Sequence, residues 1–114
     1  MKIVVLDESN KQRAQLHDLL QDKGHEVSAC SGSGEFMELI EVSEPDKILM
    51  NVEAWQHGTA MFTYFNFITR LENIPILFYN SPENFSNIAN RTHIENDKIL
   101  NSPIDIDTII QEVE

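Results

Sequence analysis

Short, mostly apolar runs alternate along this chain with longer segments in which apolar residues recur every three or four positions. Ile3-Val4-Val5-Leu6 is a continuous apolar run, and residues 75–79 form another. Runs of this kind are typical of strands that are buried on both faces of a parallel sheet. Continuous or alternating apolar patterns predict five strands, over residues 3–6, 26–30, 47–51, 75–79 and 98–100.

The segments that separate these runs predict helices. In "KQRAQLHDLLQDKG" the leucines recur at helical spacing, and Gly24 follows as the expected stop. Four further helices are expected: a short one carrying Phe36, an aromatic one over residues 58–72, a weak one over 83–91, and a closing one that ends near Val113. Strands that alternate with helices predict an α/β fold with a doubly wound, five-stranded parallel sheet.

Length and charge limit the kind of protein. The chain has 114 residues, of which 41% are hydrophobic, and this predicts one folded domain over residues 1–114. A net charge of -11 opposes direct binding to nucleic acid or to anionic membranes. The single Cys30 and an apolar start too short for a signal peptide favour a cytoplasmic protein.

Polar residues at the ends of the predicted strands form the candidate site. In a doubly wound sheet the working site lies at the carboxyl ends of the strands, near the point where strand order reverses. That rule selects Asp7, Glu8, Asn51, Asn80, Ser81 and Ser102. Three carboxylates in this place would bind a divalent cation and offer an oxygen nucleophile for phosphoryl transfer. Here the set is incomplete, because the third strand ends in an amide.

With these residues at its strand ends, the whole chain resembles the receiver domains of two-component response regulators. The segment "IPILFYNS" is similar to that family's fourth strand, and "LNSP" is similar to its Lys-Pro turn. The family has an acidic pair after strand one, an acid after strand three, a hydroxyl after strand four and Lys-Pro after strand five. The positions of this pattern here are Asp7, Glu8, Asn51, Asn80, Ser81, Ser102 and Pro103.

The resemblance implies a site that has lost its chemistry. Asp7 and Glu8 match the metal-binding acids, but Asn51 falls at the phospho-accepting aspartate. Asn80 falls at the conserved hydroxyl and Ser102 at the lysine. In the fifth predicted strand, Ile99 stands where the switch aromatic of the family is expected, three residues before the lysine position.

The losses balance in charge, since a negative group is missing at position 51 and a positive one at position 102. A lysine without its aspartate would be a partly buried charge with fewer partners, which is costly. We therefore expect a neutral hydrogen-bonding cluster in which the Asn51 amide donates to Asp7 or Glu8, while Asn80 and Ser102 satisfy neighbouring backbone groups. No cofactor is expected, and metal binding is limited to weak Mg²⁺ affinity at Glu8.

These expectations describe a non-enzymatic pseudo-receiver that works by binding a protein partner or an attached output domain in a longer signalling protein. Its proposed partner surface consists of Trp55, Tyr64 and Phe67, which point partly away from the predicted sheet. Two alternatives stay open. One is atypical phosphotransfer at Asp7 or Glu8, and the other is a flavodoxin-like domain that senses a small ligand.

Overall fold

The computed structural model describes residues 1–53, 74–81, 98–101 and 105–113. In these residues the chain alternates between strands and helices in the order that the apolar pattern predicts. The elements are β1 (Lys2–Leu6), α1 (Asn10–Asp22), β2 (Glu26–Cys30), α2 (Ser33–Ser43), β3 (Lys47–Asn51), β4 (Ile76–Ser81), β5 (Lys98–Asn101) and α3 (Ile106–Val113).

The strands form one parallel sheet in the order β2-β1-β3-β4-β5. After β1 the chain adds β2 on one side and then crosses to add β3 on the other. The point where strand order reverses therefore lies between β1 and β3, and their carboxyl ends flank the crevice that such sheets use for function. The predicted doubly wound α/β fold is confirmed.

Both faces of the sheet are covered, which explains why its strands are continuously apolar rather than alternating. Val4 and Leu6 of β1 pack with α2, whereas Ile3 and Val5 pack with α1 and α3. The α2 side is completed by Cys30, Phe36, Met37, Ile40, Ile48, Met50, Val52, Ile76 and Phe78. The opposite side is completed by Leu16, Leu20, Val27, Leu49, Leu77, Tyr79, Ile109, Ile110 and Val113.

Helix α1 begins and ends at residues suited to those positions. The Ser9 hydroxyl accepts a hydrogen bond from the backbone N–H of Gln12, at 3.3 Å, and so satisfies a donor that the first turn leaves open. At the other end Gly24 has a φ of +93°, a left-handed conformation that glycine adopts without a steric penalty. The predicted stop at Gly24 is confirmed.

The C-terminal helix α3 is fixed at both ends. Asp105 accepts two hydrogen bonds from Thr108, from its backbone N–H and its hydroxyl, both at 2.8 Å. These bonds lower the pKa of Asp105, because they favour its ionised form. At the far end the Lys47 ammonium donates to the carbonyl of Val113 at 3.2 Å, which ties the helix to the start of β3.

Strand boundaries agree with the sequence for β2 and β3, whereas β1 begins one residue earlier, at Lys2, and β4 and β5 run beyond the apolar residues. β4 continues through Asn80 to Ser81, and β5 continues to Asn101. The predicted aromatic helix over residues 58–72 and the weak helix over 83–91 lie outside the described residues. No helix in the described ranges has the length and apolar character of a membrane span.

Cys30 is 2% exposed, and burial raises the pKa of its thiol to about 12. Its sulfur lies 3.5 Å from the carbonyl oxygen of Val5. A thiol so buried and so weakly acidic is a packing residue rather than a nucleophile.

The packing of α1 predicts different costs for two neighbouring leucines. Leu20 is fully buried against the sheet, whereas Leu19 is 38% exposed. Leu20→Ala should lower the free energy of unfolding by about 2–5 kcal/mol, because it leaves a cavity. Leu19→Ala, the matched control, should cost about 1 kcal/mol or less. Urea unfolding followed by circular dichroism measures both, and equal losses would contradict this packing.

Candidate functional site

A row of polar side chains lies at the carboxyl end of the sheet, on the face that packs with α1 and α3. Asn51 of β3 pairs with Tyr79 of β4, just as Leu49 pairs with Leu77 two residues earlier. Asp7 follows β1 two residues after Val5, so it continues the same face. Alternation along three parallel strands thus brings Asp7, Asn51 and Tyr79 together.

The carboxylate of Asp7 is the centre of this row. Asp7 is 1% exposed. Its Oδ1 accepts hydrogen bonds from the Ser9 backbone N–H at 2.8 Å and from the Asn51 amide at 3.0 Å. Its Oδ2 accepts the hydroxyl proton of Tyr79 at 2.6 Å. Three donors from β3, β4 and the start of α1 therefore surround one buried carboxylate.

Asn51 is held with its amide nitrogen toward Asp7. Its Oδ1 accepts the backbone N–H of Glu53 at 2.8 Å, which leaves Nδ2 to donate on the other side. Nδ2 donates both to Asp7 and to Oε1 of Gln12, the latter at 3.1 Å. The predicted bond from Asn51 to Asp7 is confirmed.

Asn80 reaches the same cluster through an unusual backbone conformation. Its φ is +55°, in the left-handed region that asparagine tolerates better than most residues. The pairing of β4 with β5 shifts register between Phe78 and Ser81, and such irregularities redirect a side chain at a strand end. The Asn80 amide donates to Oε1 of Gln12 at 2.9 Å. The sequence predicted a backbone partner instead of this side chain.

Gln12 bridges Asn51 of β3 and Asn80 of β4, because its side chain is not used to cap its own helix. Ser9-Asn10-Lys11-Gln12 has the pattern of a capping box, in which the glutamine would return to the N–H of Ser9. Here that N–H is bound by Asp7, and Gln12 accepts the two asparagine amides instead. The first turn of α1 therefore closes over the strand ends.

Arg13 stabilises the loop between β1 and α1 from outside. Its guanidinium donates to the carbonyl of Asp7 at 2.7 Å and to Oδ1 of Asn10 at 2.6 Å. Glu8 is exposed to solvent, beside the buried Asp7. The loop thus turns one of its two acids inward and the other outward.

The Tyr79 hydroxyl is a donor throughout the physiological pH range. Burial, the negative charge of Asp7 and the hydrogen bond to it raise the pKa of Tyr79 well above its ordinary value. A hydrogen bond of 2.6 Å to an ionised carboxylate belongs to the stronger, charge-assisted class.

The structure brings together the predicted residues Asp7, Asn51 and Asn80, with Ser81 buried next to Asn80. Ile99 lies in β5, where its backbone pairs with Phe78. The predicted residues Ser102, Pro103, Trp55, Tyr64 and Phe67 lie outside the described residues.

Sequence reasoning missed three members of the site: Gln12, Arg13 and Tyr79. Signals for two of them were present. The Ser9-x-x-Gln12 spacing places a polar side chain at the first turn of α1, and a tyrosine in a strand buried on both faces needs a partner for its hydroxyl. Nothing in the pattern pointed to Arg13.

The fold and the crevice at its strand ends define a class: this is the flavodoxin-like fold of response regulator receiver domains. A two-component response regulator from Clostridium difficile is 19% identical over 99% of this chain and 92% of its own, with a TM-score of 0.75. A Francisella response regulator receiver domain is 18% identical over 98% and 92%, with the same TM-score of 0.75.

The similar structures also include the pseudo-receiver domain of the CikA protein. It is 13% identical over 98% of this chain and 92% of its own, with a TM-score of 0.66. The sequence matches no protein-family model and no curated protein.

Removing the Tyr79 hydroxyl tests the bond to Asp7. Tyr79→Phe keeps the ring but leaves Oδ2 of a buried carboxylate without its donor, so it should lower the free energy of unfolding by about 1.5–3 kcal/mol. In an Asp7→Asn background the same substitution should cost less, because the charged acceptor is gone. Chemical unfolding of the two single variants and the double variant measures this, and strictly additive losses would show that the two groups are not coupled.

Stability should fall at alkaline pH through the same residue. The pKa of an unfolded tyrosine is about 10, while the folded pKa of Tyr79 is higher. The unfolded chain therefore loses this proton first, and stability present below about pH 10 is lost above it, at up to about 1.4 kcal/mol per pH unit. The Tyr79→Phe variant should lack this component. If the difference in stability between the two proteins stays constant from neutral to alkaline pH, this linkage is wrong.

Proposed function

We propose that this chain is a phosphorylation-independent pseudo-receiver, a non-enzymatic protein-interaction or regulatory module of bacterial signalling. The observation that carries the proposal is the direction of the Asn51 amide, whose nitrogen donates to Asp7 at 3.0 Å. At the position that resembles the phosphoryl acceptor, the side chain is thus a hydrogen-bond donor to the neighbouring acid.

Asn51 is unsuited to accept a phosphoryl group in two respects. A carboxamide is a far weaker nucleophile than a carboxylate. Its Oδ1, the atom that corresponds to the nucleophile, already accepts the N–H of Glu53 at 2.8 Å. Attack from this oxygen would require breaking that bond.

The arrangement also does not fit a resident Mg²⁺ ion. Mg²⁺ binds through oxygen ligands with near-octahedral geometry. Both oxygens of Asp7 are bound to internal donors, and Asn51 presents nitrogen to the side where a ligand oxygen would be needed. In the described residues no three His, Cys, Asp or Glu side chains form a group that could hold a metal ion. The exposed Glu8 is compatible only with weak Mg²⁺ binding.

Internal donors therefore take the place of an external cation in satisfying Asp7. A fully satisfied buried polar network fixes its members in one arrangement. A domain fixed in this way would transmit a signal through what it binds rather than through a phosphorylation switch. The existence of a pseudo-receiver among proteins of the same fold agrees with this role.

The proposed partner is another protein or an attached domain. One structure of the same fold is the N-terminal domain of a three-domain regulator from Carboxydothermus hydrogenoformans. The partner surface that the sequence suggests consists of Trp55, Tyr64 and Phe67, which lie outside the described residues.

Treatment with acetyl phosphate and Mg²⁺ tests the proposal. The native chain should gain no phosphoryl mass, and its melting temperature should not change when Mg²⁺ is added. An active receiver domain treated in parallel confirms that the reagents work. A phosphoryl mass on the native chain would refute the proposal, and its loss in Asp7→Asn or Glu8→Gln would identify the acid that accepts it.

Asn51→Asp is the informative variant. It replaces a donor by a second carboxylate next to Asp7, and like charges at this distance repel, so the variant should be destabilised without metal. Added Mg²⁺ should restore part of that loss, since three acids then lie at the strand ends. If Mg²⁺ stabilised the native chain as much as the variant, the proposal that internal donors satisfy Asp7 in place of a cation would be wrong.

A further inference from the structure

β2 is one of the two outer strands of the described sheet. It pairs with β1 alone, in parallel and in continuous register along Glu26–Cys30. The free side of an outer strand presents backbone N–H and C=O groups to which a further strand can bind. The described sheet therefore ends, at β2, on a hydrogen-bonding edge.

The bonds between β2 and β1 show which backbone groups of β2 face inward. The Glu26 N–H donates to the carbonyl of Met1 at 3.0 Å, and the Cys30 carbonyl accepts the N–H of Asp7 at 3.0 Å. Alternate residues of a parallel strand bond to the same neighbour. Ser28, which lies midway between these two residues, therefore also faces β1 with its backbone.

Val27 and Ala29 turn their N–H and C=O groups to the free side of β2. Their side chains pack with the core on the α1 face, so the edge itself consists of backbone groups. In residues 1–53, 74–81, 98–101 and 105–113, no hydrogen bond reaches these outward groups. The ligand that matches such a row of alternating donors and acceptors is another extended strand.

The two outer strands differ in the features that discourage pairing with a further strand, which include lysine, proline and irregular register. β5 begins with Lys98, and its pairing with β4 shifts register between Phe78 and Ser81. β2 contains neither lysine nor proline, and its register with β1 is unbroken. Its single charged residue, Glu26, is at its first position. The edge at β2 therefore lacks the protection that β5 has.

β2 is complementary to itself when a second copy runs antiparallel to it. Opposite residues in antiparallel strands exchange two hydrogen bonds when both turn their backbone groups toward each other. With a twofold axis at Ser28, Val27 of each copy lies opposite Ala29 of the other. All outward groups of both strands are then bonded, and no other centre within β2 pairs these two residues.

The same register keeps like charges apart. Ser28 lies opposite the second copy's Ser28, and Glu26 lies opposite its Cys30. The two Glu26 residues are then separated by about 14 Å along the strands. Like charges directly opposite each other would weaken such a pair. Because Ser28 and Ala29 are small, the two backbones can approach each other.

Net charge opposes this pairing over longer distances. Each copy carries -11, and two such chains repel each other unless salt screens them. The association is therefore expected to be weak at low salt and stronger at high salt. An association driven by attraction between opposite charges would have the reverse dependence.

We propose that the free edge of β2 binds β2 of a second copy of this chain, antiparallel and centred on Ser28, so that the two sheets become continuous. The inference goes beyond the proposed function and does not depend on it, since the strand ends around Asp7 take no part in the contact.

Sedimentation velocity of the native full chain over a range of concentrations tests the association. The average mass should rise with concentration from that of one chain toward that of two. The dissociation constant should be about tenfold lower at about 0.5 M salt than at about 0.05 M salt, because the repulsion is screened.

Hydrogen exchange of the ¹⁵N-labelled chain, followed by nuclear magnetic resonance, locates the contact. The amides of Val27 and Ala29 should exchange more slowly as the concentration rises, because they become bonded to the second copy. The amide of Ser28 is the internal control, since its bond to β1 protects it in either state.

A matched pair of variants separates the edge from net charge. Ser28→Lys sets two like charges opposite each other at the twofold axis and should raise the dissociation constant at least about fivefold. Gln111→Lys makes the same change in net charge on an exposed position of α3 and should not weaken association. Ser28→Thr, which adds no charge, should also still associate, and circular dichroism shows whether each variant is folded.

Three results would overturn the proposal. The native chain could stay a monomer at every concentration and salt, which would leave the edge to a strand of a different protein or to water. It could associate while the Val27 and Ala29 amides exchange as fast as in the monomer. Finally, folded Ser28→Lys and Gln111→Lys could have equal dissociation constants. None of these results changes the outcome of acetyl phosphate treatment, so the two proposals fail independently.

Discussion

A single buried carboxylate determines how the strand ends are arranged. Asp7 is 1% exposed, and a buried charge is costly unless it is fully hydrogen-bonded. Here Ser9, Asn51 and Tyr79 each donate to it. The loop after β1, the end of β3 and the end of β4 must keep their relative positions for these bonds to form. The network therefore links local loop geometry to the register of the whole sheet.

The same constraint relates the two asparagines at the strand ends to Asp7. With an acid at position 51, Asp7 would face a like charge and both groups would need a cation. With an amide there, the charge of Asp7 is met by a donor that belongs to the chain. The Gln12 side chain then accepts the second hydrogen of that amide and one from Asn80. Asn51 and Asn80 are thus satisfied through the same glutamine.

Much of the fold could be predicted from the sequence, because the apolar pattern shows which strands are buried on both faces and which of their residues share a face. Continuous apolar runs predicted a sheet covered on both faces, and the strand ends placed Asp7 and Asn51 at one edge. The contact of Tyr79 with Asp7 was harder to predict, since it depends on which face of the sheet each residue takes across three paired strands. Asn80 was harder still. Its left-handed backbone and the register shift in β4 redirect its side chain, and a local tertiary effect of this kind leaves no periodic signal.

The internal hydrogen bonding of Asp7 bears on how such a domain would be used. In a switching receiver, chemistry at the carboxyl ends of the strands has to alter a distant binding surface. Here Asp7 accepts hydrogen bonds from Asn51 and Tyr79 of the same chain. A ligand can shift an equilibrium only through a difference in its affinity for two states. Under the proposed role, a network that admits one state leaves no second state for a phosphoryl group or a cation to favour, so binding would depend on the concentration of the partner rather than on a switch.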